Sequence, residues 1–478
     1  MDMQARIEAY WNDPAQRERL VSLITRLVAI RSVREAAAEN APFGPGPARC
    51  LDEALAVCRE LGFATENAEH YVGTADLNEK ETVLHILGHL DVVGEGKGWA
   101  HDPYVVEEHD GILSGRGVAD DKGPVVAALL AMKCVKDLGL DLPYNVKLIL
   151  GTDEESGSED LEYYYGKHPH ARYAFTPDAN FPLINIEKGS YKPTFSADFP
   201  ATDVLPRVLS LEGGFRINVI PGEAEALVAG LNAPAVGAAL TKTAEETGVA
   251  FSATAEGNGC RILAKGVGGH ASTPEVGNNA LTALLKLLAA LPLADCASTD
   301  AIRSLAALFP HGDNVGQALG MAVSDEISGA TSVAFTLLKL DERGFEGRFD
   351  SRTSLAANNS NTRLPVEEAF TRHGFRFTGS VMDAPHHTPA DSPIVKTLLG
   401  CYSRYTGVQD PQPLAIGGGT YVHDIPGGVA FGCEEEGFEY NMHGPDEKVP
   451  VEGLLRSGMI FTQAIIELCS EMESEEMR

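Results

Sequence analysis

The sequence predicts an α/β fold: a mixed sheet with helices on both faces, interrupted by an inserted α+β domain. Three observations predict it. Short apolar runs at Val83–Leu87, Val146–Leu150 and Ala174–Thr176 read as buried strands. Each run ends in residues that ionise or bind metals: Gly88-His89-Leu90-Asp91, Gly151-Thr152-Asp153-Glu154-Glu155 and Pro177-Asp178. After about Lys188 the chain changes character, with new strands and helices but no carboxylates gathered at strand ends.

The elements follow in order. Asp13-Pro14 reads as a cap and first turn, opening a helix through Leu20, Leu23, Ile24 and Leu27. Pro45-Gly46-Pro47 closes a loop, and Ala48–Leu61 is a second amphipathic helix that Gly62 ends. A weak strand near Ala64 precedes the His89 strand. The segment Gly94–Asp110 is irregular and leads to a short strand at Ile112–Leu113. A glycine-rich turn, Gly115–Asp121, opens a helix from Lys122 to Lys133. Beyond Lys188, strands are expected at Lys192–Phe199, Glu223–Gly230, Arg261–Ala264 and Ser332–Leu337. Helices are expected at Ala233–Thr247, Asn279–Ala290 and Val366–His373. A helix from Pro393 to Tyr405, a glycine-rich loop at Ile416–Thr420, a strand at Val429–Gly432 and a helix at Glu452–Cys469 complete the chain. The charged tail Glu471–Arg478 is expected to fray. Residues 1–187 and 384–478 are therefore read as one domain, and 188–383 as an insertion of ordinary domain size.

A chain of 478 residues exceeds one ordinary core, which fits two domains. The net charge of −30 argues against nucleic acids and anionic membranes as partners. No apolar run approaches the ~20 residues that span a bilayer. Residues Met1–Arg6 lack the basic-then-apolar pattern of a secretory leader. The eight cysteines are scattered without CxxC spacing and read as reduced thiols of a cytoplasmic protein.

In open α/β sheets ligands bind beyond the carboxyl ends of strands, where His89 falls. Asp91, two residues on, points to the same side of an extended chain and can hydrogen-bond the imidazole. Glu155 and Asp178 occupy comparable positions, and Asp120 lies in the glycine-rich turn just before a helix. His443 lies in Asn441-Met442-His443-Gly444-Pro445-Asp446-Glu447. Two histidines and three carboxylates suit two ions of borderline hardness, zinc or manganese. One carboxylate would bridge them, at a separation of roughly 3.5–4 Å. Such a pair holds a hydroxide and polarises a carbonyl, the two needs of amide hydrolysis. Glu154, next to Glu155, is then the natural general base. His85, His101 and His109 are ligands in principle. His85 is read as packing within its strand, and the other two as solvated.

The segments GHLDVV, GRGVADDKG, GTDEESG, Thr176-Pro177-Asp178, GGHASTP and NMHGPDE run in this order from about Thr82 to Glu447. Together they resemble the signature set of a family of co-catalytic metallopeptidases. That family includes aminoacylases, glutamate carboxypeptidases, succinyl-diaminopimelate desuccinylases and dipeptidases. The long insertion and the GGGTY loop are most similar to PepV-type dipeptidases. The resemblance implies a di-metal peptidase catalytic domain with an inserted lid, and two divalent ions per chain, Zn2+ first and Mn2+ as the alternative. It implies that His89 and Asp178 hold one ion, Glu155 and His443 the other, and that Asp120 bridges them. Asp91 would orient His89, Glu154 would be the base, and the Asp120–Asp121 peptide would be cis. His270, in GGHASTP, would reach from the lid to the developing oxyanion of its own chain, which implies a monomer. Asn218, Arg352, Gly417, Gly418 and Thr420 would hold the backbone ends of the substrate. Arg352 suits a free α-carboxylate, because a guanidinium makes bidentate contacts. The match around it, Asp350-Ser351-Arg352-Thr353, is looser than elsewhere.

The implied function is hydrolysis of short peptides by a metal-bridging hydroxide, with small peptides as the only partners. The alternatives are an N-acyl or succinyl-diamino acid amidohydrolase, and a silent peptide- or metal-binding protein on the same scaffold. Retention of Glu154 favours a catalyst over a binding relic.

Overall fold

The computed structural model describes residues 2–379 and 381–470; the tail Glu471–Arg478, expected to fray, lies outside the described residues. The chain divides into two compact units. One joins the residues up to Ile186 with those from His387 onward, and the other is Glu187–His386.

The first unit opens with α1 (Met3–Trp11), α2 (Pro14–Val28) and α3 (Pro45–Glu60). Asp13 caps α2 by accepting the Ala15 N–H, with Pro14 in the first turn. The sequence reading missed α1, which buries only Ile7 and Trp11, too few for a visible period. It also began α3 late: Pro45 and Pro47 lie inside the first turn, where a missing N–H costs nothing.

Then come β1 (Ala64–Ala68), β2 (Val72–Asp76), β3 (Thr82–His89), β4 (Glu107–His109) and β5 (Ile112–Ser114). They are followed by α4 (Lys122–Asp137), β6 (Asn145–Gly151), α5 (Glu159–Tyr165) and β7 (Tyr173–Thr176). The main sheet runs β1-β2-β6-β3-β7 and continues into Val429–Ala430. The first two pairings are antiparallel. From β6 through β3 and β7 to Val429–Ala430 the strands are parallel.

Alternation along these strands builds two cores. Leu84, Ile86, Val146, Leu148, Leu150 and Phe175 join the core with α1 to α4 and the final helix, Val451–Leu468. Leu87, Ile149 and Ala174 join another, with α5 and the helical turn Tyr421–Asp424. A sheet covered on both faces reads as continuous apolar runs, which is why these strands were visible in the sequence. His85 is buried, with Nδ1 2.9 Å from the Tyr165 hydroxyl. Burial pushes its pKa down to about 3, so it packs as a neutral ring.

Lys122 ties the start of α4 to the end of α2. Its buried ammonium donates to Leu27 O at 3.0 Å and Ile30 O at 2.9 Å. A cation on the last carbonyls of a helix is favourable, and here it fixes the residues straight after Asp120-Asp121.

The second unit is an antiparallel sheet. Its strands run in the order Ala250–Glu256, Gly259–Lys265, Glu223–Ala229, Arg207–Gly213, Ser332–Asp341, Gly344–Arg352, Thr194–Asp198, Arg376–Thr378. Helices Ala233–Thr247, Ala280–Ala290, Ala297–Leu308 and Leu364–Arg372 accompany it. This unit has its own core, which includes Phe195, Phe335, Phe349 and Phe370. The sequence reading missed the edge strand Ala250–Glu256, whose Phe251 and Ala253 are only partly buried against the core.

Gly88 lies where β3 passes α4. A Cβ there would sit 2.3 Å from Val125 Cγ2 and 2.8 Å from Asp121 Oδ2, both on buried residues. Gly88→Ala is therefore expected to cost about 1–3 kcal/mol through overpacking. In a Val125→Ala background the cost should shrink by about 0.5 kcal/mol or more. Urea unfolding of the four variants measures this; an equal cost in both backgrounds would exclude the clash as the cause.

Candidate metal centre

Because β6, β3 and β7 are parallel, their carboxyl ends meet at one edge. His89 closes β3. The chain leaves β6 through Thr152 and Asp153 into a 3₁₀ turn, Glu154–Ser156, and leaves β7 into Pro177-Asp178. Asp120 arrives from the loop before α4, where the Asp120–Asp121 peptide is cis, as the resemblance implies. His443 arrives from the loop before the final helix.

Asp120 directs one oxygen to each imidazole. Its Oδ1 is 3.0 Å from His89 Nε2, and its Oδ2 is 2.9 Å from His443 Nε2. Asp178 Oδ2 lies 3.5 Å from His89 Nε2, and Glu155 Oε2 lies 3.2 Å from His443 Nε2. One donor atom from each of His89, Asp120 and Asp178 falls within 4.8 Å of the others, and the same holds for Asp120, Glu155 and His443. The five residues thus form two cages that share Asp120.

These cages fit divalent cations. Tetrahedral nitrogen and oxygen ligands about 2.0–2.1 Å from an ion lie about 3.3 Å from one another. The contacts of 2.9 to 3.5 Å straddle that edge length. His89 Nε2, although close to Asp120, has no acceptor aligned with it, and buried Glu155 Oε1 has no hydrogen-bond partner. Buried polar atoms are rarely left so. Imidazole with carboxylate is also a donor set for ions such as zinc and manganese.

The surroundings hold these groups in place. Asp91 is fully buried, and its carboxylate accepts the N–H groups of Glu154 and Glu155, both at 3.1 Å. His89 Nδ1 meets the main-chain oxygen of Asp91 at 3.0 Å and the carboxylate at 3.4 Å. Asp91 therefore orients the imidazole largely through its backbone, while its side chain fixes the turn that carries the two glutamates. Asp160 anchors the same turn by accepting Thr152 N–H at 2.6 Å, Asp153 N–H at 3.0 Å and the Tyr421 hydroxyl. Asp121 Oδ2 accepts the His89 N–H at 3.0 Å. Glu434 is a further acid: burial and the charges of Asp178 and Asp120 push it up to about 7. The sequence reading singled out none of Asp160, Asp121, Tyr421 and Glu434 for the site. Two of them carried a signal: Asp121 by its adjacency to Asp120, and Tyr421 as the last residue of the GGGTY loop.

The ionisation of the cluster reports crowding of negative charge. Burial, then the neighbouring carboxylates, raise Glu154 well above the usual range and Glu155 to about 7. Asp178 rises for the same reasons. Burial would raise Asp120 too, but the two imidazoles outweigh it and hold it below the usual carboxylate range. The contacts with Asp120 and Glu155 push His443 up to about 11. Bound cations would relieve this crowding.

The remaining expected site residues divide between the units. Gly417, Gly418 and Thr420 lie in the first, where Thr420 Oγ1 accepts the Val422 N–H at the start of the Tyr421–Asp424 turn. His270, Asn218 and Arg352 lie in the second. His270 Nδ1 lies 2.6 Å from the Ser272 hydroxyl and 3.3 Å from the Ser272 N–H, so Ser272 holds that side of the ring. Asn218 O accepts the Ala271 N–H at 2.9 Å. The Arg352 guanidinium is aligned by two 3.0 Å contacts with buried Asp350. Elsewhere, His109 is exposed beside Glu107, and His101 Nε2 lies 3.4 Å from Ser114 O; neither joins a cage.

The profile of peptidase family M20/M25/M40 matches residues 85–467. YtjP of Bacillus subtilis is 32% identical over 458 residues, covering 95% of this chain and 98% of that one. The Beta-Ala-Xaa dipeptidase of Lactobacillus delbrueckii subsp. lactis is 30% identical, covering 96% and 98%. Among solved structures, human carnosine dipeptidase 1 aligns with a TM-score of 0.58 at 17% identity, over 98% of this chain and 100% of that one. That last likeness is one of fold. A profile match along most of the chain, with relatives of this identity along nearly all of it, establishes that the chain belongs to peptidase family M20/M25/M40.

Proposed function

We propose that this chain is a metal-dependent dipeptidase that hydrolyses the peptide bond of short peptides. One observation carries the reading: two cages share Asp120, and Glu154, in the same turn as a cage residue, belongs to neither. The Beta-Ala-Xaa dipeptidase among the relatives supports a dipeptide substrate.

Two divalent cations held there, zinc or else manganese, would polarise the scissile carbonyl and make water more acidic. Glu154 takes a proton from the attacking water and passes it to the leaving amine. Asp91 keeps Glu154 and Glu155 in their separate roles by holding both of their amides. The second unit serves as a lid. From it, the His270 ring donates a hydrogen bond to the oxygen that gains charge, and Arg352, aligned by Asp350, receives a free carboxylate. Asn218, Gly417, Gly418 and Thr420 hold the other backbone groups of the substrate. The reading extends to a cytoplasmic monomer. Eight free thiols support the compartment, and the size of the insertion, Glu187–His386, supports the single chain. Light scattering that gave twice the chain mass would exclude the monomer.

Glu154→Ala should keep both metal equivalents and lose about a hundredfold or more in kcat. Full activity with metal retained would remove Glu154 as the base. The metal-loaded protein should cleave α- and β-alanyl dipeptides faster than N-acyl amino acids. Cleavage of the acyl compounds alone would replace the dipeptidase by a deacylase, and turnover of neither would leave a binding protein. His270→Ala should lower kcat by roughly 10²–10³ with metal content unchanged, as expected for one oxyanion donor. Loss of metal would instead make His270 a ligand.

A further inference from the structure

Two loops, those of Asp120 and His443, are joined through one buried ion pair. Arg116 Nη1 lies 2.6 Å from Glu447 Oε2, with side-chain exposures of 1% and 0%. The Glu447 carboxylate accepts the N–H groups of Gly117 at 3.0 Å, Ala119 at 2.9 Å and Asp120 at 3.2 Å. Arg116 Nη2 crosses back and donates to Gly444 O at 2.9 Å, next to His443. The Glu447 carbonyl adds contacts with Gly115 N–H at 3.0 Å and the Ser114 hydroxyl at 3.1 Å. The guanidinium also lies 5.1 Å from the centre of the Trp99 ring.

His443 is the cage residue that most needs such a link. Its side chain is 54% exposed, against 1% for His89, 9% for Asp120, 10% for Glu155 and 16% for Asp178. A half-exposed ring inherits its place from the backbone rather than from packing. That backbone is unusual: Asn441, His443 and Asp446 have φ of 54°, 61° and 54°. Non-glycine residues keep that conformation where the surroundings over-determine it. His89, by contrast, ends a buried strand. A buried ion pair is itself a weak source of net stability, so its value here lies in what it positions.

Resting on the two-cage reading above, we propose that Arg116 and Glu447 are positioning residues for the second cage, that of Asp120, Glu155 and His443. They hold the His443 imidazole against Asp120 Oδ2, and so set the affinity for the second of two divalent cations without touching either. The first cage shares Asp120, but its other two ligands, His89 at the end of β3 and Asp178 just beyond β7, make no contact with the pair, so it depends on them less.

Titration of the metal-free full chain with Co2+, followed by calorimetry and by visible absorption, tests this. Arg116→Lys keeps a cation beside Glu447 and removes the contact with Gly444. It should weaken the second equivalent by about tenfold to a hundredfold, the usual loss when the partner of a ligand is removed. The first equivalent should change by less than about threefold on the same scale, and the spectrum should approach that of His443→Ala. Glu447→Gln keeps the side-chain size and one accepting oxygen, and should act in the same direction should the lysine variant misfold. Melting temperatures of the metal-free variants report folding separately. Equal weakening of both equivalents, or of neither, would overturn the proposal and leave the ion pair purely structural. A wild-type chain that took up fewer than two equivalents would sink the two-cage reading itself.

Discussion

The side chain of Asp120 sets the terms for everything around it. Its two oxygens face imidazoles brought from distant parts of the chain, 3.0 and 2.9 Å away. A carboxylate buried among other carboxylates is tolerable only with counter-charge close by. Asp91, Asp121, Asp178, Glu154, Glu155 and Glu434 crowd the same edge, and two imidazoles cannot balance them. The fold supplies part of the remainder. The amino end of α4 begins at Lys122, directly after Asp120-Asp121, and presents its positive end to them. Backbone N–H groups supply more, on Asp91, Asp160 and Glu447. The remaining deficit is the strongest physical argument for dications at this edge.

Much of this was legible in the sequence because the two signals reinforce one another. Strands covered on both faces give nearly continuous apolar runs, and β3, β6 and β7 do so, interrupted only by His85 in β3 and Lys147 in β6. A run that stops abruptly at His89, or at Gly151 and the acids after it, marks a strand end at an edge. Parallel pairing then brings such ends together without any information about long-range contacts. The five cage residues follow from that pattern together with motif resemblance.

What stayed illegible has the opposite character. The acid of Asp160 lies in a polar run, Glu159-Asp160, indistinguishable by composition from a solvated face, yet it is fully buried. The division of labour within Asp91, backbone to His89 and carboxylate to two amides, depends on a loop closure that spacing does not encode. Helix α1 buries Ile7 and Trp11 alone, and the Trp11 ring fits only because position 458 of the final helix lacks a Cβ. Edge strand Ala250–Glu256 only partly buries Phe251 and Ala253 against the core, too little for a visible pattern. In these cases tertiary context, rather than local pattern, decides the structure; the amphipathic helix Ala297–Leu308 and the strand Arg207–Gly213 were missed although their apolar residues are in the sequence.

On the proposed reading the two units divide the chemistry as well as the chain. Every cage residue lies in the first, on strand ends and loops locked by buried hydrogen bonds. Metal affinity demands that rigidity, because ligand positions must hold to a few tenths of an ångström. The groups proposed for the oxyanion and the free carboxylate, His270 and Arg352, lie in the second unit, which has a separate core. On the proposed reading neither unit is a catalyst alone. The first would bind cations and activate water, and the second would supply the groups that recognise a peptide. Substitutions that loosen the second core would then act on KM and kcat while leaving cation affinity intact, whereas the Asp120 loop admits no such separation.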